Sequence, residues 1–124
     1  VSSITNFWMA LGARVEAILP DKHDEIVAAI SHMPHVAAAA LAVATPETLL
    51  PFAGQGWRDA TRIAAGDPQL WLEIVASNRS NIVRNLTTLE HSLSEVRRAI
   101  EDKHYEALLE ILQEAKQKRD AVGN

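Results

Sequence analysis

Apolar residues recur every three or four positions along almost the whole chain, and no segment of useful length alternates apolar with polar residues. The pattern therefore predicts helices and no sheet. Phe7, Trp8, Leu11, Val15 and Ile18 predict a first helix, with Ser2, Ser3 and Thr5 as candidate caps and an end before Pro20. Asp21 is the candidate cap of a second helix running through Ile26, Val27 and Ile30. Pro34 then falls inside a continuing helical pattern. It has no N–H and its ring crowds the carbonyl four residues back, so a helix crossing it is expected to kink near Ile30. Such a kink frees a backbone carbonyl and turns Ser31, His32 and His35 towards an opening. Beyond it, the alanines from Ala37 to Ala44 form a thin rod that other helices can approach closely.

Thr45-Pro46-Glu47 predicts the start of a short helix that ends by Gly54, and Gly54 and Gly56 permit a turn into Trp57–Ala64. Gly66-Asp67-Pro68 is a second stop, cap and start signal, after which the pattern is helical to about Glu101. Ile82, Leu86, Leu89, Leu93, Val96 and Ile100 form a heptad-like seam on that helix. A helix from Pro68 to Glu101 would be roughly 50 Å long, whereas a domain of this size is roughly 35 Å across. The overhanging apolar end predicts a second copy of the chain as its cover. The alternative is an intramolecular hairpin with a last helix carrying Tyr105, Leu108, Leu109, Leu112 and Ala115.

Composition narrows the class. The 124 residues suffice for one core, and the few aromatics and many Ala and Leu favour helix. Sixteen acidic against twelve basic residues give a net charge of -4, which offers no general attraction to nucleic acid or to an acidic membrane. Cysteine is absent, which excludes disulfides and thiolate metal sites. No run approaches the roughly 18 apolar residues of a membrane span and no signal-like order opens the chain, so a soluble cytoplasmic protein is expected. The chain opens on Val1 directly upstream of a helical pattern and reads as a piece of something longer.

The candidate chemistry lies in two stretches, Ser31-His32-Met33-Pro34-His35 and Gly54-Gln55-Gly56-Trp57-Arg58-Asp59-Ala60-Thr61-Arg62-Ile63-Ala64. Ser31 and His35 share a helical face if the helix persists, with His32 about a quarter turn away. Arg58 and Arg62 are four apart with Asp59 between them. In a partly dry setting, screened by Trp57 and Trp71, an arginine fork held by Asp59 suits a carboxylate. The blander alternatives are a surface ladder worth tenths of a kcal/mol and a pair of ordinary capping or core histidines. His23, Asp24, His32 and His35 could suggest a metal, but no third ligand falls at reliable spacing and none is expected. No glycine-rich phosphate loop is visible in the sequence.

The order Trp8…Leu11-Gly12-Ala13, His23-Asp24, Ser31–His35, Gly56–Ala64, Asp67-Pro68…Trp71 and Asn78 resembles the C-terminal domain of prephenate dehydrogenases and their arogenate-using relatives, in register from about Phe7 to Ile100. Where relatives usually carry Leu, Phe and Thr, this chain has Met33, Trp57 and Ala60. The resemblance implies an all-α C-terminal domain over 1–124, of the 6-phosphogluconate dehydrogenase C-terminal type, with one long central helix in an intertwined homodimer. It implies oxidation and decarboxylation of prephenate with NAD or NADP, giving 4-hydroxyphenylpyruvate on the route to tyrosine. By match to the family motif, Arg62 would bind a substrate carboxylate, and His35 the other end of the substrate or tyrosine as inhibitor. Ser31, His32, Arg58 and Asp59 would form the wall and its ion network, and Trp71 would help close the site. The family's catalytic histidine and cofactor loop belong to an N-terminal dinucleotide-binding domain, so this fragment is expected to be inactive alone. Arogenate in place of prephenate, and a non-catalytic helical dimerisation module, remain the alternatives.

Overall fold

Seven α-helices and three tighter or wider helical turns make up the computed structural model, which describes residues 1–123; no strand occurs among them. The all-helical expectation holds. Helix α1 (Ser2–Ala10) is shorter than its apolar pattern predicts, because the chain turns at Leu11 and enters the left-handed region at Gly12 (φ +82°). Its Phe7 and Trp8 pack edge to face at 5.5 Å and stay largely exposed. Helix α2 (Pro20–Val27) starts on Leu19 with Pro20 as its first residue. Asp21 therefore lies in the first turn instead of capping it, where its charge still suits the helix N-terminus.

The conflict at Pro34 is resolved by a π-helical turn over Ala28–His32, continuous with α2 before it and α3 (Met33–Ala44) after it. The Met33 N–H reaches back to the Ala28 carbonyl. A wider turn relieves the contact between a proline ring and the carbonyl of Ile30 that an α-helix would force. The run Pro20–Ala44 also corrects the expectation about membrane spans: by length and composition it is long and apolar enough to cross a bilayer. From Ile26 to Ala44, Ser31, His32, Pro34 and His35 interrupt the apolar sequence without adding a fixed charge, so counting apolar residues in a row misses it.

A 3₁₀ turn (Glu47–Phe52) leads to α4 (Gln55–Thr61), a second 3₁₀ turn (Arg62–Ala65) and α5 (Pro68–Ser77). Asp67 caps α5 as its sequence signal predicts, with one carboxylate oxygen accepting from the Gln69 and Leu70 N–H groups at 2.8 and 3.0 Å. The helix expected to run unbroken to Glu101 is instead cut at Asn78 (φ −125°, ψ 31°), and α6 (Arg79–Glu101) is 23 residues long. At about 35 Å it matches the width of the domain, so length alone gives no overhang. Lys103 (φ +55°) then turns the chain into α7 (Tyr105–Val122), which packs against α6.

The α2–α3 run crosses α6, and the buried apolar side chains are few: Ala28, Ala38, Ile82 and Ala99. Along the α6 seam, Ile82 is 2% exposed, whereas Leu93 and Ile100 are 59% and 53% exposed even with α7 beside them. The hairpin therefore exists but does not cover the seam. The chain presents 10250 Å² of surface, against about 6,600 Å² for a compact monomer of its mass. Much apolar surface is thus left without an intramolecular neighbour.

Candidate functional site

Three sequence signals meet where α3 passes the start of α5. His35 leaves the first turns of α3, and the cap at Asp67 brings α5 and Trp71 alongside it. The two rings stack at 3.5 Å between centroids and 10° between planes. Gly66 lies directly against them, since a Cβ there would come within 2.6 Å of Trp71 Nε1 and 3.1 Å of His35 Cε1. His32 stands edge-on to Trp71 at 6.1 Å. His35, Ala39, Ala64, Gly66, Trp71 and Val75 line an apolar cleft of about 400 Å³ beside this stack, within the size range of small-molecule sites.

A second hollow of about 370 Å³ shares Ala64 with the first and is lined by Trp57, Arg58, Thr61 and Arg62. Trp57 ties α4 to the end of α3 by donating its indole N–H to Thr45 Oγ1 at 2.9 Å, and Thr61 Oγ1 donates to the Trp57 carbonyl at 2.8 Å. Both guanidinium groups are on exposed residues, and neither forms an ion pair among the described residues. The ion network expected around Asp59 is absent from this geometry. Asp59 Oδ1 accepts instead from Gln55 Nε2 at 2.7 Å, one turn earlier on the same helix face. That pairing leaves the Arg58–Arg62 fork free for an anion.

Of the residues singled out in the sequence, the structure brings His32, His35 and Trp71 together and sets Arg58 and Arg62 in the adjoining hollow. Ser31 is exposed and lines neither hollow. Two contributors were not recognised in the sequence as site residues. Gly66 read only as a helix stop, and Asn78, whose amide approaches His32, carried no local signal beyond its place in the family pattern. No group of three or more metal-binding side chains occurs among the described residues.

His35 is 7% exposed, and its burial lowers its pKa from 6.5 by disfavouring the imidazolium. The unfolded chain then binds a proton that the folded chain refuses. Stability from this group is complete above pH 6.5 and falls as pH drops towards the lowered value. Denaturant unfolding at fixed protein concentration is expected to show this loss on acidification, with a smaller loss in His35→Asn. An equal pH dependence in that variant would contradict the assignment.

The comparisons with known proteins bear on the family and the fold. The profile of the prephenate dehydrogenase dimerization domain matches residues 19–114. The chain is 31% identical to the prephenate dehydrogenase of Bacillus subtilis, covering 98% of this chain and 34% of that protein. It is 30% identical to the cyclohexadienyl dehydrogenase of Zymomonas mobilis, covering 98% and 44%. The chain thus spans less than half the length of these relatives. Among solved structures, it superimposes on prephenate dehydrogenase from A. aeolicus, in complex with hydroxyphenyl propionate and NAD+, with a TM-score of 0.85 and 34% identity, over 98% of this chain and 44% of that one. For Synechocystis arogenate dehydrogenase the TM-score is 0.86 at 26% identity, over 98% and 46%. An all-helical chain with a histidine–tryptophan stack beside an unpaired arginine fork, matched over most of its length, belongs to the prephenate dehydrogenase dimerization-domain family.

Proposed function

We propose that this chain is the substrate-binding and dimerisation domain of a prephenate dehydrogenase, inactive until joined to an N-terminal dinucleotide-binding domain. The observation that carries the reading is the pairing of an unneutralised Arg58–Arg62 hollow with the apolar His35–Trp71 cleft across Ala64. Prephenate has two carboxylates and a ring, so it needs a cationic end and an apolar wall in one site. In this reading Arg62 holds one carboxylate, Arg58 adds positive potential, and Trp71 screens the ring from water. His35 meets the other end of the substrate, or tyrosine as inhibitor.

The overall change is loss of carbon dioxide and transfer of a hydride, giving 4-hydroxyphenylpyruvate and a reduced nicotinamide. NAD or NADP, when bound, accepts the hydride. This sequence offers it no glycine-rich phosphate loop, so its site is assigned to the N-terminal domain. This chain's residues bind and orient the acid.

The uncovered seam at Leu93 and Ile100 and the excess surface support a second copy of the chain as the partner. Obligate interfaces of this kind bury thousands of Å², and sedimentation of the chain is expected to give a dimer. A monomer at micromolar concentration would remove that part of the proposal. The test of function is prephenate-dependent NADH or NADPH formation by the full-length protein. The likeness to an arogenate dehydrogenase keeps a second substrate in view, differing only in an amino for a keto group. Turnover of each, measured side by side, separates the two, and turnover of neither overturns the proposal in favour of a dimerisation module.

A further inference from the structure

Asn78 breaks the helix between α5 and α6 and is 8% exposed, yet its side chain makes no capping hydrogen bond to the helix it begins. Its amide nitrogen serves other elements, and its amide oxygen a side chain of α6. Nδ2 donates to the Asp24 carbonyl at 2.8 Å, 54 residues away in sequence, and lies 3.3 Å from His32 Nδ1. Oδ1 accepts from Asn81 Nδ2 at 2.9 Å, and Asn85 Nδ2 donates to the Asn81 carbonyl at 2.8 Å. A backbone carbonyl only accepts, so the amide nitrogen must be the atom facing Asp24, and its orientation follows from chemistry. The second amide hydrogen is left for His32, whose Nδ1 must therefore be the acceptor. The proton of the neutral ring then resides on Nε2.

Nε2 of His32 has no hydrogen-bond partner among the described residues, and it is not a buried orphan. It is thus an open donor on a ring that is edge-on to Trp71, which in turn stacks on His35 at the cleft. We infer that Asn78 is a positioning residue for His32, which stands behind Trp71 and not in the lining of either hollow: it holds the ring in the Nε2–H tautomer, leaving that N–H for an oxygen acceptor, a carboxylate or keto oxygen of the substrate. This rests on the functional reading above for the identity of the acceptor, but not for the tautomer. Asn78 also pins the π turn to α2 and α6 at once, so the ring is fixed in position as well as in protonation.

The test uses the full-length protein and two readouts. Imidazole ¹⁵N spectra of wild type are expected to show His32 protonated at Nε2 and bare at Nδ1; the reverse overturns the inference whether or not any variant folds. Asn78→Asp places a carboxylate oxygen by Nδ1 and is expected to draw the proton there, raising KM for the acid about tenfold with kcat little changed. A moved proton with wild-type KM would overturn the positioning role. Failure of Arg62→Ala to change KM would instead strike the functional reading and leave the tautomer result standing.

Discussion

If the proposed function holds, replacing Arg62 with alanine in the full-length protein is expected to raise KM for prephenate about 10- to 150-fold, the loss of one charge-assisted contact worth roughly 1.5 to 3 kcal/mol. The effect should appear in KM more than in kcat, because in the proposed role the group would grip a carboxylate in ground state and transition state alike. Folding should be nearly unchanged. Arg62 is exposed and makes no ion pair among the described residues, so its removal strands no buried partner. Arg62→Lys keeps the charge but loses the planar fork and should recover only part of the affinity. Steady-state kinetics decide the matter, and a wild-type KM in Arg62→Ala would end the assignment of this residue to substrate.

Gly66→Ala is expected to destabilise the chain by about 1–3 kcal/mol and to weaken substrate binding with it. The backbone is not the obstacle, since φ −63° and ψ 162° suit alanine. A glycine-to-alanine change at such a position would ordinarily stabilise by about 0.4–1 kcal/mol through the unfolded chain. The added methyl, however, would lie 2.6 Å from Trp71 Nε1 and 2.9 Å from Cδ1, and Trp71 cannot retreat freely because His35 is stacked on it. Steric cost exceeds entropic gain, and the stack must slide. Denaturant midpoints and the tryptophan emission maximum report the two parts, and a variant as stable as wild type would show that the ring has room to move.

What was legible in the sequence was whatever a few neighbouring residues decide. Gly66-Asp67-Pro68 announces a stop, a cap and a start, and the structure forms all three because the carboxylate reaches N–H groups only two and three residues ahead. Pro34 likewise forces a local answer, although that answer is a widened turn and not a free bend. The break at Asn78 was hidden for the opposite reason. No proline or glycine marks it, and the acceptor that rewards it, the Asp24 carbonyl, belongs to a distant segment. Asp59 was misplaced because two partners were in reach on one short helix, and Gln55, not the arginines, took it. In the site, residue types alone drew attention to His35, Arg58 and Arg62, whereas the role of Gly66 follows from the clearance beneath Trp71, which no sequence pattern encodes.

The π turn at Ala28–His32 has one further consequence, for helix phase. Each extra residue in a turn rotates everything after it by about 100°, so the faces of α2 and α3 are offset even though they share one uninterrupted rod. The side of the rod that meets α6 and the side that offers His35 to Trp71 are therefore related by a count of residues as well as by contacts. The rod works as an indexing element: its π turn sets the angle between the face that packs on α6 and the face that carries His35.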